Sequence, residues 1–247
     1  MPDPVDQHYV GQELELFAHA RNWKRYWSRL LEPLLRGDVL EVGAGLGANT
    51  RILRRSTQRR WVCLEPDGRL LEQMRCSFTA APLPGPCELR QGSVADLAPD
   101  SRFDTILYVD VLEHIEDDSV ELARAAAHLR DQGRLMVLAP AHNWLFSPFD
   151  TSLGHFRRYN RRSLTDAARL VPGLGLERLL YLDSCGLLAS WGNRLLLRQG
   201  MPTLKQILFW DRALVPVSRA LDPLLAHRLG KSILAVWNQT SGLPHHS

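Results

Sequence analysis

The chain holds four cysteines in 247 residues, Cys63, Cys76, Cys87 and Cys185, and no two lie close enough to form a CxxC pair. That spacing excludes a disulfide-stapled scaffold and a zinc ribbon. Reduced thiols in a cytoplasmic protein are expected, with Cys63 inside a strand. Lysine is almost missing, 3 residues against 27 arginines. Charge of one sign is missing too: 30 basic and 27 acidic residues leave a net charge of +3. So even a balance excludes nucleic-acid binding driven by charge, and no nucleic-acid partner is expected. The longest apolar stretch, Leu179 to Leu197, is interrupted by Asp183, Asn193 and Arg194, so no transmembrane segment is expected. The opening MPDPVDQHYV has no apolar signal core, and no repeat of a solenoid type is visible.

What remains is the composition of a globular domain, 45% hydrophobic and 23% charged, long enough to bury a full core. Residues 11–35 place Leu16, Ala20, Trp23, Trp27 and Leu30 at helical spacing, closed by Pro33 and Gly37. Short apolar runs then alternate with helical segments. Strands are predicted at 38–42, 61–65, 87–91, 103–110, 133–140, 176–185 and 231–239. Helices are predicted at 49–55, 68–76, 118–130 and 163–170, the last capped by Ser163. This alternation predicts a doubly wound, Rossmann-like α/β sheet of seven strands, mostly parallel. Residues 141–160 read as a functional loop or lid. Residues 186–228 read as two helices around RQGMPT, and the tail SGLPHHS as frayed. The expected organisation is a helical cap at 1–36, a core at 37–185, a helical cap insertion at 186–228, and a final strand and tail at 229–247, all in one domain.

The sharpest motif is VLEVGAGLGANT at 39–50, a strand running into a glycine turn and a helix. Glycines there let the backbone turn sharply and approach a ligand beside a helix N-terminus. Taken alone, the turn also fits dinucleotide binding, because Ala48 can stand third in GxGxxA. Its surroundings are more specific. Glu41 precedes the first glycine by two residues, Glu65 ends the next strand, and GSVADL (92–97) follows the third. FDTILYVDVLEHIED (103–117) and LRDQGRLMVLAP (129–140) complete a series of five motifs.

In that order they resemble the class I S-adenosylmethionine-dependent methyltransferases over residues 35–170. The resemblance implies S-adenosylmethionine as cofactor. It places Glu41, Gly43, Gly45, Gly47, Glu65, Ser93, Val94 and Asp110 around it. Asp67 reads as a helix cap. Trp23 and Tyr26 fit either a cover over the cofactor or the core.

Two further segments bear on the acceptor. In Asp110-Val-Leu-Glu113-His114, carboxylates and an imidazole follow the fourth strand. GHFRRYNRRS (154–163) carries His155, Arg157, Arg158 and Tyr159. His114, His155 and Tyr159 are candidate catalytic groups. Arg157 and Arg158 are candidates for a carboxylate or phosphate on the substrate, with His142 as a further lining group. Some O-methyltransferases of the family bind a divalent metal at a similar turn, which here would use Asp110, Glu113, His114 and His155. Metal-independent transfer is the expectation. The expected activity is methylation of an O, N or carboxylate acceptor on a small molecule, as in specialised metabolism. The alternatives are a metal-dependent O-methyltransferase, a non-catalytic S-adenosylmethionine-binding protein, and a nicotinamide oxidoreductase.

Overall fold

The computed structural model describes residues 17–196 and 203–240. The start of the predicted 11–35 helix, most of RQGMPT and the tail lie outside the described residues. Seven strands form one sheet: β1 Asp38–Val42, β2 Arg60–Glu65, β3 Cys87–Gln91, β4 Phe103–Val109, β5 Leu129–Pro140, β6 Leu174–Leu182 and β7 Ser232–Gln239. Their spatial order is β3-β2-β1-β4-β5-β7-β6. β1 to β5 pair in parallel, whereas β7 runs antiparallel to both β5 and β6. The order reverses between β1 and β4, so their carboxyl ends open a crevice, the usual ligand position in a sheet of this kind.

Strand residues alternate between two apolar layers, as the pleat requires. On one side Leu40, Val62, Ile106, Val137 and Ala235 pack under α4 (Asp118–Ala127) and α6 (Arg161–Ala168). On the other, Val39, Trp61, Leu107, Met136 and Val236 pack under α1 (Arg21–Leu31), α2 (Ala48–Leu53) and α3 (Gly68–Ala80). Burial on both faces explains why all five positions of β1 are buried, three of them apolar, instead of alternating with solvent.

Several boundaries differ from the sequence reading: α4 ends at Ala127 and β5 opens at Leu129, inside the predicted 118–130 helix, β6 runs 174–182 where 176–185 is predicted, and α3 continues to Ala80. α6 starts at Arg161, because Asn160 and not Ser163 caps it; Ser163 sits at the third helical position and bonds back to the Asn160 N–H. The segment after β6 forms α7 (Ser184–Leu196) and then one rod, α8 (Leu204–Phe209), a π-helical turn at Trp210–Leu214, and α9 (Val215–Leu224). Pro216 has no N–H for the Arg212 carbonyl, which accounts for the widened turn there. Within 141–160, α5 (Pro148–Ser152) is a short helix with a Ser147–Asp150 capping box.

Buried acids fasten the inserted helices to the rest. Asp222, fully buried, accepts from the Tyr26 hydroxyl at 2.7 Å and from the Asp183 and Ser184 backbone N–H groups at 2.7 and 3.1 Å. Asp211 accepts from the Trp23 and Asn22 N–H groups at the start of α1. Asp183 accepts from the Trp210 indole and the Ser218 hydroxyl, both at 2.7 Å. Asp222→Ala would leave three buried donors unpaired. A loss of at least about 3 kcal/mol is expected, given roughly 1–3 kcal/mol for each orphaned group. A denaturant-unfolding midpoint unchanged from the parent would refute it.

Candidate functional site

The crevice at the carboxyl ends of β1 and β4 widens into a cavity of about 2440 Å³, lined by α1, residues between 145 and 158, and the inserted helices. Single-ligand pockets run to roughly 1,000 Å³, so there is room for a cofactor and an acceptor together. One wall is the glycine turn. Gly43, Gly45 and Gly47 all adopt positive φ, at 65°, 55° and 75°. At Gly43 and Gly47 a Cβ would also meet Val111 and Phe78, at 2.6 and 2.4 Å.

Glu65 ends β2 on the same wall. Its carboxylate accepts from the Gly45 N–H at 2.8 Å and the Asp67 N–H at 3.0 Å. Burial raises its pKa against those two bonds. A carboxylate has about four acceptor positions, so room remains for two ribose hydroxyls. Asp67 itself caps α3, accepting from Arg69 and Leu70 N–H. Gly92 and Ser93 reach the cavity, although the Ser93 hydroxyl is bonded to Asp96.

Other expected cofactor residues stand away from the cavity. Val94 is in the core, 1% exposed. Glu41 lies beneath the turn, where its Oε2 accepts from the Thr50 hydroxyl at 2.6 Å and the Trp61 indole at 2.9 Å. Oε1 is buried with no partner among the described residues. Burial pushes this carboxyl up to about 7 from 4.5, with both hydrogen bonds opposing. The folded state therefore holds the proton more tightly. Stability contributed by Glu41 is complete below pH 4.5 and is lost as the pH rises to about 7. Glu41→Gln is expected to flatten stability over that interval, read from denaturant midpoints along a pH series.

The second wall is the DVLEH turn. Asp110 has φ 54° and opens into the cavity while ringed by protein. That enclosure pushes its carboxyl up to about 6, against His155, Lys231 and Lys24. Glu113 is 1% exposed, and its Oε2 has no partner among the described residues. Burial, then Asp110, hold its pKa well above the ordinary value. Burial, then His155, lower His114 to about 4.

The His114 and His155 rings meet edge-on with centroids 4.5 Å apart. One potential ligand atom from each of Glu113, His114 and His155 lies within 4.8 Å of the others. Three of the four expected metal ligands thus converge, and Asp110 stands outside the group.

His155 is held by Asp150, with Nδ1 3.0 Å from Oδ1. Asp150 also takes both arms of Arg158, at 2.7 and 3.0 Å. Burial alone would raise Asp150, but the bonds from His155 and Arg158 hold it well below the usual carboxylate range. Arg158 lines the cavity with its fork already engaged.

The remaining candidates turn elsewhere. Arg157 pairs with Asp118 at 2.9 Å and bonds the Glu116 carbonyl. Tyr159 is fully buried and donates toward Asp118 and the Leu112 carbonyl. Burial and Asp118 push its phenol far above the ordinary value, so it is no base. His142 stacks on Tyr181 and bonds the Gly230 carbonyl, away from the cavity. Trp23 lines the cavity, whereas Tyr26 serves Asp222.

Sequence reasoning missed Asp150, Lys24 and Lys231. The Ser147-Pro-Phe-Asp150 capping pattern was a signal for the first. Lys24 and Lys231, two of only three lysines in the chain, face the same cavity, and no local sequence pattern marks them. Burial lowers the pKa of both lysines, offset in part by Asp110 and Asp211 at Lys24 and by Asp183 at Lys231.

A doubly wound sheet, a glycine turn at its switch point and a ribose-competent acid define an α/β protein built around a nucleoside cofactor. Residues 39–133 match the family described as a methyltransferase domain. The demethylmenaquinone methyltransferase of Tropheryma whipplei is 29% identical over 178 residues, covering 68% of this chain and 66% of that one. A probable S-adenosylmethionine-dependent methyltransferase of Mycolicibacterium smegmatis is 28% identical over 155 residues, covering 61% and 56%. The YcgJ protein of Bacillus subtilis shares the fold, with TM-score 0.61 at 15% identity, over 88% of this chain and all of the other. These likenesses support a class I S-adenosylmethionine-dependent methyltransferase family for this chain. Its match spans just under two thirds of the Tropheryma relative and little more than half of the mycobacterial one. S-adenosylmethionine is the cofactor this family implies, and the positive-φ turn and the Glu65 carboxylate fit it.

Proposed function

We propose that the protein transfers a methyl group from S-adenosylmethionine to a hydroxyl of a small, largely apolar molecule. The observation that carries this reading is the Asp150–His155 pair in the wall of a cavity shared with the glycine turn. A carboxylate acceptor needs no base and an amine offers its own lone pair, whereas a hydroxyl must lose a proton. Asp150 fixes one ring nitrogen of His155, leaving the other to accept that proton, and stabilises the imidazolium that results.

The sulfonium supplies an already activated methyl group. The chain's own task is to hold the acceptor in line and exclude water. Gly43, Gly45, Glu65 and Asp110 hold the cofactor, with Ser93 at the edge, while Gly47 shapes the turn and packs against Phe78 and Met74. Trp23, Phe146, Phe149, Ile207 and Trp210 line an apolar acceptor chamber, with Lys24 and Lys231 as its cations. Since Asp150 occupies Arg158, an anionic group on the acceptor pairs with those lysines instead.

A second reading rests on the unpartnered Glu113 Oε2 beside both imidazoles: a divalent cation bound there would acidify the hydroxyl, with Asp150 orienting His155 behind it. Chelator treatment separates the two, leaving turnover unchanged under the first and abolishing it under the second.

Cofactor binding is tested on its own by Glu65→Ala. S-adenosylhomocysteine affinity should fall about 10- to 150-fold, the equivalent of roughly 1.5–3 kcal/mol for a charged hydrogen-bond partner. Calorimetry showing equal affinity would remove Glu65 from the site.

A further inference from the structure

We infer that the helices inserted between β6 and β7 dock the protein on an anionic membrane surface. Fourteen large apolar side chains are exposed among the described residues, and nine of them fall between 188 and 229. Leu224 is 81% exposed, Leu188 63% and Trp191 52%. On α9 the exposed Val217, Leu221 and Leu224 follow helical spacing along one edge, while Val215, Ser218 and Asp222 face the core. Arg212, in the π-helical turn, and Arg219, on α9, are both exposed on the same rod.

The charge of this surface has one sign. Between 184 and 229 the sequence has only two acids, Asp211 and Asp222. Both are buried, 2% and 0% exposed, and held by the hydrogen bonds described above. Lys205, Arg212, Arg219 and Arg228 are exposed with no ion-pair partner among the described residues. Leucine and tryptophan set among unopposed cations suit the headgroup region of an anionic bilayer, where apolar tips enter the acyl boundary and cations stay with phosphates.

A second copy of the chain is a poor occupant. Two-fold pairing would set these cations against themselves with no exposed acid between them. No described helix is long and apolar enough to cross a membrane, so attachment would be peripheral. The inner faces of the same helices, at Ala189, Ile207 and Trp210, line the cavity. An acceptor arriving from this side is therefore a membrane-embedded amphiphile, a consequence that rests on the acceptor reading above.

The test is flotation of the full chain with vesicles of phosphatidylcholine alone or with about one third phosphatidylglycerol. Binding is expected to the anionic vesicles only and to weaken with salt. Lys205→Gln/Arg212→Gln/Arg219→Gln should lower it about 100-fold, near fivefold for each cation at about 1 kcal/mol apiece. Leu221→Ser/Leu224→Ser should lower it as well. Both variants should keep parental affinity for S-adenosylhomocysteine, which also shows that they fold. Absence of binding to anionic vesicles would overturn the proposal. So would a concentration-dependent dimer in sedimentation that Leu221→Ser/Leu224→Ser dissolves, since the face would then belong to a second copy. A parent chain that floats but binds no S-adenosylhomocysteine would refute the transferase reading and leave the docking surface standing.

Discussion

His155→Ala is expected to lower kcat by about 10²–10⁴-fold while S-adenosylhomocysteine affinity stays at the parental value, the usual worth of a positioned base. The ring lies in the cavity wall with Nδ1 engaged by Asp150, so its removal takes away a proton acceptor but no part of the glycine turn. Asp150 acts through that ring and is a positioning residue. Asp150→Asn should lower kcat in the parent and have little further effect in the His155→Ala background, because residues working as one unit are not additive. A merely structural Asp150 would cost the same in both backgrounds. His114→Ala should be the milder change, since burial, then His155, hold its pKa down at about 4 and make it a poor proton acceptor. If chelator abolishes turnover and both histidine variants lose stoichiometric metal, the cation reading replaces the base. If His155→Ala turns over at the parental rate, the acceptor needs no base and the hydroxyl assignment fails.

The parts of this site written in local sequence were legible, and those made by long-range packing were not. The glycine turn, Glu65 and the DVLEH turn each sit where a strand meets a helix, and strand periodicity locates such points from neighbouring residues alone. The fates of Arg157, Tyr159 and His142 depended on partners far along the chain. Arg157 and Tyr159 are about 40 positions from Asp118, and His142 is 88 positions from Gly230. Runs such as FRRYN carry no signal of which side chain faces a cavity and which closes over a helix. The same limit hid Lys231, which precedes β7 in sequence yet faces Asp110 across the sheet edge. Glu41 shows the converse. Its position two residues before Gly43 is plain in the sequence and points to the cofactor, but the pleat turns it under the loop, toward Thr50 and Trp61.

Gly43→Ala is expected to cost the protein its cofactor. The residue adopts φ 65°, a conformation that costs an L-residue about 1–2 kcal/mol. A Cβ there would also stand 2.6 and 2.9 Å from the two Val111 methyl groups. Overpacking of that kind adds about 1–3 kcal/mol. The two terms together correspond to a loss of S-adenosylhomocysteine affinity on the order of 30- to several thousand-fold if the turn yields rather than the fold. The clash also reaches the other wall, because Val111 follows Asp110 and opens the short helical turn that carries Glu113 and His114. Val111→Ala provides the control. It removes the opposing methyls and leaves φ unchanged, so Gly43→Ala/Val111→Ala should recover the packing term and retain the strain. Affinity should then fall between that of the single variant and the parent. Full recovery would mean that the left-handed backbone at Gly43 plays no part. No loss in Gly43→Ala itself, measured by calorimetry on folded protein, would mean that the turn between β1 and α2 does not hold the cofactor.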